Sequence, residues 1–285
     1  MSTKSRSTKS VCYVTVNNYP MTNLGNYTLE DGTPLFDVGI IFGANINYDD
    51  KTKKAVLGFN TQTQNLLDNA ATQIVPLQKK GIKVLMTVLG NHSKAGISNF
   101  PDQASAKAFA IQLSDAVAKY GLDGIDFDDE WVNYGQKDKQ TKQIIIPKSN
   151  DFSFPYLVQA CRELMPNKIL SLYFYGPASG YLTYGKINVG TLLDYTWNAS
   201  YSTWNPPSIP PLQKSNISGA ATCINPDDTY TPITPNGTAT SFAKQTIKED
   251  YGLYLYYNLP NKDMSSYLSG ISKELYGQSV VYSKP

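Results

Sequence analysis

"GLDGIDFDDEW", running from Gly121 to Trp131, sets five carboxylates into an otherwise apolar stretch of a chain in which only 17% of residues are charged. Acidic and apolar residues interleave there at period two, the mark of a β-strand, whose side chains point alternately to opposite faces. On that reading Gly124, Asp126, Asp128 and Glu130 share one face, while Ile125, Phe127 and Asp129 share the other. A strand with a ladder of acids on one side and apolar side chains on the other suits an α/β barrel. The outer face of a barrel strand meets helices, which fits Ile125 and Phe127. The ladder then lines the interior and climbs toward the C-terminal mouth, where βα loops build active sites. Glu130 sits highest.

Working outward, "VCYVTV", "DVGIIFGANI", "IKVLMTVLG", "KILSLYFYG", "LLDYTWN" and "YGLYLYYNL" read as further strands, most of them apolar on both faces as buried parallel strands are. Between them Leu66, Ala70, Ile74 and Leu77 mark one amphipathic helix, with Pro76 an anomaly inside it. Ala106, Phe109, Leu113, Val117 and Tyr120 mark another that starts after Asp102 and stops at Gly121. Phe154, Leu157, Cys161 and Leu164 form a third such face, and Leu268, Ile271 and Leu275 a terminal helix ended by Gly277. The segment from Tyr201 to Gly237 is rich in Pro, Ser and Asn, with only "ATCIN" strand-like, so one or two crossover helices are expected to be replaced by loops. A βα series of about eight strands, with no G-x-G-x-x-G turn after the first, favours a single (β/α)8 TIM barrel over a doubly wound sheet. The expected layout is a polar N-terminal tail over 1–10 and one barrel domain over 11–285, without a linker.

Composition removes several function classes. The net charge of +2 comes from 25 basic and 23 acidic residues spread along the chain, without the clustering that a phosphate backbone demands, so no nucleic-acid partner is expected. Cys12, Cys161 and Cys223 are odd in number and lack a C-x-x-C spacing, which indicates buried small hydrophobes rather than disulfides or a zinc site. His92 is the single histidine, so most imidazole-based metal sites and Ser-His-Asp schemes fall away, and catalysis must lean on carboxylates. The start, "MSTKSRSTKS", has no apolar segment behind it and no stretch reaches membrane-span length. The expectation is a soluble monomer with no membrane partner, cytoplasmic as written and secreted if a leader was removed. N-x-S/T sequons at Asn26, Asn91, Asn198, Asn216 and Asn236 leave the compartment open.

Neighbours on an acid ladder lie about 6.5 Å apart, and two charges at that distance repel by roughly 2.5 kcal/mol at an effective dielectric near 20, almost two pKa units. Asp126, Asp128 and Glu130 cannot all stay ionised at little cost. A shared titration leaves one carboxyl protonated near neutral pH, as a general acid requires, and Glu130 is the candidate donor. A solvated acidic loop is disfavoured by the period-two interleaving. A calcium loop counted from Asp123 or Asp126 lacks the Gly at its sixth position and the Glu at its twelfth. A magnesium site on Asp126 and Asp128 for phosphate chemistry would lack a P-loop or basic cluster beside it.

The series Asp123, Asp126, Asp128, Glu130 resembles the D-x-x-D-x-D-x-E signature of glycoside hydrolase family 18, in which Asp123 and Gly124 open the strand. "IFGANINYD", "TQIVPLQKKGIKVLMTVLGNH", "QLSDAVAKYGLDGIDFDDE", "LSLYFYGPAS", "DYTWN" and "GLYLYYNL" are similar, in the same order, to the endo-β-N-acetylglucosaminidases of that family, from about Val11 to Tyr282. The resemblance implies that Glu130 protonates the glycosidic oxygen. Asp128 would orient the substrate's own acetamido group, which attacks the anomeric carbon, and Asp126 would modulate the proton on Asp128. It implies retention of configuration, no metal and no cofactor. The implied substrates are N-glycosylated proteins or free N-glycans, cut between the two core N-acetylglucosamines of high-mannose or hybrid chains. Alternatives on the same fold are a chitinase or a catalytically weak glycan-binding lectin.

Strand-end positions add candidate sugar contacts: Tyr173, Asn198, Tyr201, Tyr256, Asn258, Trp131 immediately after the acid, and His92 at the mouth of the third strand. Core packing is the rival explanation for each. The resemblance departs at Phe174, where related sequences carry asparagine, and in the loop "QKDKQTKQIIIPKSN", so glycan preference is left open. Asp129 points away from the ladder and has no catalytic role.

Overall fold

All eight strand-like runs become strands in the computed structural model, which describes residues 7–284. They are β1 (Lys9–Thr15), β2 (Val38–Asp49), β3 (Lys83–Leu89), β4 (Gly124–Asp128), β5 (Ile169–Phe174), β6 (Tyr195–Asn198), β7 (Ala220–Cys223) and β8 (Leu253–Tyr257). Each pairs parallel with its neighbour from β1 round to β6, and β8 pairs parallel with β1. Closure is made by a split strand: Ile217–Ser218 pairs with β6, the chain passes Gly219, and β7 then pairs with β8. The ring is the expected TIM barrel. β1 begins at Lys9 with Thr8 and Ser10 already buried, so the barrel reaches into the expected tail, of which residues 1–6 lie outside the described residues.

The helices follow the apolar periodicity with one exception. α1 (Thr61–Asp68) lies between β2 and β3, α2 (Gln103–Tyr120) between β3 and β4, and α3 (Ser153–Leu164) between β4 and β5. α4 (Asn236–Lys248) and α5 (Ser265–Tyr276) flank β8. Asp102 caps α2 by accepting the Ser105 N–H at 2.7 Å, and Gly121 ends it in the left-handed region at φ 66°. The single helix expected across Leu66 to Leu77 is three pieces, α1, Ala70–Gln73 and Val75–Lys79. Pro76 explains the last break: without an N–H it cannot continue a helix, but at the start of a new one that N–H has no partner to lose. The crossovers after β5 and β6 carry no α-helix, in line with the composition of the second, and the one after β1 holds the 3-10 turn Met21–Asn26 and the short strand Tyr27–Leu29 in place of one.

Alternation sorts the core into two layers. Val11, Tyr13, Val38, Ile40, Leu85, Trp197, Leu253 and Leu255 fill the barrel. Val84, Met86, Ile125, Phe127, Leu170 and Leu172 face outward, against Phe109, Leu113, Phe154 and Leu157 of the helices. Phe127 meets Phe154 edge to face at 5.6 Å. Gly124 pairs with Ile169 of β5 and has no room for a side chain: a Cβ there would lie 1.9 Å from the Ile169 carbonyl oxygen. All three cysteines are buried and unbridged, and among the described residues no helix is long and apolar enough to cross a membrane.

Candidate active site

The acid ladder stands inside the barrel in three layers. Asp126 is the deepest and is fully buried. In register it lies beside Thr87 on β3 and Ser171 on β5, and both hydroxyls donate to it, at 2.8 and 2.7 Å. From across the barrel Tyr13 Oη donates at 2.6 Å, and this hydroxyl in turn accepts the Trp197 indole N–H at 2.8 Å. Loss of water pushes the Asp126 carboxyl up to about 6, with the three hydroxyl donors pulling the other way.

Asp128, one layer up and beside Tyr173, is only 2% exposed. Its Oδ1 is buried without a hydroxyl or N–H donor. Burial foremost, then the charges of Glu130 and Asp126, hold its carboxyl well above the usual carboxylate range. It hydrogen-bonds the Glu130 carboxyl, a contact that requires one proton for two acids and that pushes Asp128 up while pulling Glu130 down. Glu130 stands at the mouth, half-buried and itself raised by lost hydration. Its carbonyl accepts the Gly90 N–H at 3.0 Å, and the Trp131 carbonyl accepts the His92 N–H at 2.7 Å, which fastens the end of β4 to the loop after β3.

The two remaining acids are structural. Asp123, at the foot of the strand, accepts the Val84 N–H at 2.9 Å, Gln78 Nε2 at 2.9 Å and Lys83 Nζ at 3.0 Å. Asp129 turns outward and is 3% exposed. It accepts Ser98 Oγ and Tyr134 Oη, both at 2.5 Å, and the Ala178 N–H at 2.8 Å, so it ties the top of β4 to the loops after β3, β4 and β5.

A cleft of about 730 Å³ opens above Asp128 and Glu130. Tyr173, Tyr201, Trp131 and Asn258 line it, as do Tyr13, Phe42, Tyr257 and the loop from Asp227 to Thr231. Tyr201 stacks on Tyr257 at 4.6 Å, and Tyr173 Oη donates to the Ala199 carbonyl at 2.7 Å. Three expected contacts, Tyr256, Asn198 and His92, do not line the cleft. Tyr256 is fully buried on the helix side, edge-on to Phe36 at 5.6 Å. Alternation along β8 turns Leu253, Leu255 and Tyr257 inward and Tyr254 and Tyr256 outward, so the neighbour Tyr257 is the residue in the site. Asn198 is 2% exposed, and its amide donates to Thr203 O, Thr203 Oγ1 and Gly219 O within 3.1 Å, bracing the split seventh strand. His92 faces an adjoining cleft of about 310 Å³, its ring edge-on to Trp131 at 5.4 Å. Sequence reasoning missed Tyr13 and Tyr257, which strand parity could have found, and the Asp227–Thr231 loop, for which no local signal existed.

Three stacked carboxylates inside a parallel barrel, under an aromatic cleft, define a glycoside hydrolase, and the chain belongs to the glycosyl hydrolases family 18, whose model matches residues 9–247. It is 47% identical over 280 residues to the endo-beta-N-acetylglucosaminidase of Flavobacterium sp. (strain SK1022), covering 98% of this chain and 84% of that one. Endo-beta-N-acetylglucosaminidase F1 of Elizabethkingia meningoseptica is 35% identical over 278 residues, 93% of this chain and 76% of its own. Among solved structures, Bacteroides thetaiotamicron EndoBT-3987 with Man5GlcNAc product superposes with a TM-score of 0.83 at 26% identity, over 98% of this chain and 63% of that one. The same enzyme in complex with Man9GlcNAc2Asn substrate also gives 0.83, at 25% identity, over 98% of this chain and 68% of that one.

Proposed function

We propose that this chain is an endo-β-N-acetylglucosaminidase that hydrolyses the β1,4 bond between the two core N-acetylglucosamines of high-mannose and hybrid N-glycans, by a retaining, substrate-assisted mechanism. The observation that carries the reading is the Asp128–Glu130 pair. The two carboxyls hydrogen-bond each other at the mouth of the barrel, and Asp128 Oδ1 is buried there without a protein partner. The endo-beta-N-acetylglucosaminidases at 47% and 35% identity supply the substrate class.

An incoming acetamido N–H supplies the donor that Asp128 lacks, which favours its ionised form. The proton crosses the existing hydrogen bond to Glu130. Glu130 gives that proton to the glycosidic oxygen, which leaves with the bonding pair, while the acetamido carbonyl oxygen bonds to the anomeric carbon. The ring so formed is a positive oxazolinium, stabilised by ionised Asp128 at its N–H. Glu130, now a carboxylate, takes a proton from water as the water oxygen attacks the anomeric carbon and the bond from that carbon to the acetamido oxygen breaks, its electron pair restoring the neutral acetamide. Two inversions give net retention. Asp126 stays in place beneath, its charge setting how tightly the pair above holds its proton.

The test is incubation with a high-mannose glycoprotein such as ribonuclease B, followed by intact mass. A product carrying one N-acetylglucosamine is expected from the wild type and none from Glu130→Gln. No shift with the wild type, or full activity in Glu130→Gln, overturns the reading, and release of short oligosaccharides from chitin alone would make it a chitinase.

A further inference from the structure

A separate cavity of about 470 Å³ lies beside the barrel, between α2, the antiparallel strand Lys54–Gly58 that folds back on β2, and the loops after β3 and β4. It shares no lining residue with the catalytic cleft or with the cleft that His92 faces. Its apolar lining includes Phe100, Phe152 and two small side chains on the exposed face of α2, Ala104 and Ala108. Its charged lining is four exposed lysines, Lys53, Lys54, Lys94 and Lys148, and among the described residues no Asp or Glu lines it.

One carboxylate faces those four ammonium groups. Asp50, outside the lining, pairs with Lys94 at 2.5 Å and more loosely with Lys53 at 3.9 Å. Lys54 and Lys148 have no carboxylate within ion-pair distance among the described residues. The walls are held by the protein itself. Asn150 joins the two loops, its backbone N–H donating to the Ser98 carbonyl at 2.9 Å and its Nδ2 to the Phe100 carbonyl at 3.1 Å. Gln112 ties α2 to the returning strand, accepting the Leu57 N–H at 2.9 Å and donating to the Ala55 carbonyl at 3.1 Å. A cavity braced in this way is preorganised, so a ligand has little protein to order on binding.

Each part of the lining excludes a class of ligand. A neutral sugar leaves the ammonium groups without a partner, and an inorganic anion leaves the phenylalanine surface in water. An apolar body with one anionic head satisfies both. Lysine is a compact point charge and does not select head geometry as the planar fork of arginine does, so carboxylate and sulfonate are equivalent here. We infer that this cavity binds a small amphipathic anion, an aromatic or alkyl body carrying a single carboxylate or sulfonate, with its head among the lysines and its body against Phe100 and Ala108. The site stands independently of the endoglycosidase reading.

The experiment is fluorescence titration of the wild type at low ionic strength with anilinonaphthalene sulfonate and with its uncharged counterpart, N-phenylnaphthylamine, using decanoate as competitor. One saturable sulfonate site is expected, with the uncharged probe bound about tenfold more weakly or worse. Lys54→Glu/Lys148→Glu reverses two charges and should weaken the sulfonate by about tenfold, and Ala108→Trp, which fills the cavity from α2, should abolish its binding. All three positions are exposed, and thermal melts confirm that both variants are folded. Displacement by decanoate extends the site to alkyl carboxylates, and its failure confines the site to aromatic anions. Sulfonate affinity that neither variant changes, or an uncharged probe that binds as tightly as the charged one, overturns the inference. Self-association of the wild type that the charge reversals abolish also overturns it, by placing a second copy of the chain on this surface.

Discussion

Replacing Asp126 by Asn removes a charge from the floor of the ladder while keeping its shape, and the pH profile should respond in a defined direction. Asp126 and Asp128 are same-face neighbours on β4, about 6.5 Å apart, and at an effective dielectric near 20 the lower charge strengthens proton binding above it by about 2.5 kcal/mol. That is just under two pH units. A negative neighbour raises the pKa of the proton shared by Asp128 and Glu130, so removing it lets that proton leave at lower pH. The alkaline limb of kcat/KM should therefore move down by about one to two units in Asp126→Asn. The fold should tolerate the change. Tyr13 Oη already accepts from Trp197 and must donate downward, which an Asn Oδ1 can receive together with Thr87. Facing Ser171 with an amide instead costs about 1 kcal/mol. Against that, a carboxyl raised from 3.8 to about 6 contributes stability in full below its unfolded pKa and loses about 3 kcal/mol of it as pH rises through 6. At pH 7 the variant should melt no lower than the wild type, and this advantage should disappear below about pH 4. The assay is kcat/KM on a high-mannose glycopeptide from pH 4 to 9, with thermal melts alongside. An alkaline limb that stays put or moves upward, in a variant that melts normally, would refute the electrostatic coupling.

Gly90→Ala places a Cβ 2.4 Å from the Glu130 carbonyl oxygen, so the proton donor must shift. A fall in kcat of up to about 100-fold is expected in steady-state assays, and unaltered kcat would mean the mouth yields without moving Glu130. Asp129→Ala strands the donors of Ser98, Tyr134 and Ala178, at a cost of roughly 3 kcal/mol by denaturant unfolding; a loss under about 1 would show that the anchor is dispensable. Tyr257→Ala should lower kcat/KM about tenfold through the lost wall of the cleft, while Tyr256→Phe stays within about twofold. The opposite order in the same assay would contradict the inward parity of Tyr257.

What the sequence determined by itself was whatever repeats locally. The interleaving of Asp126, Asp128 and Glu130 with Ile125 and Phe127 is a property of one strand, as is each apolar run that became a barrel strand, so the barrel and its acid ladder could be read without a partner in sight. The same parity, applied along "LYLYY", selects Tyr257 over Tyr256. Tertiary structure decided everything that depends on closure and register. Tyr13 reaches Asp126 across 113 residues of chain, and Thr87 and Ser171 stand beside it only because β3 and β5 pair with β4 in that register. Asn198 left the site because the split seventh strand claims its amide, and Asp129 acquired a role because three loops converge on it. The adjoining cleft that His92 faces is likewise assembled from β1, β2 and β3, the segments that follow them, and Trp131 after β4. No local pattern encodes it, since the closed barrel alone brings those separate segments together.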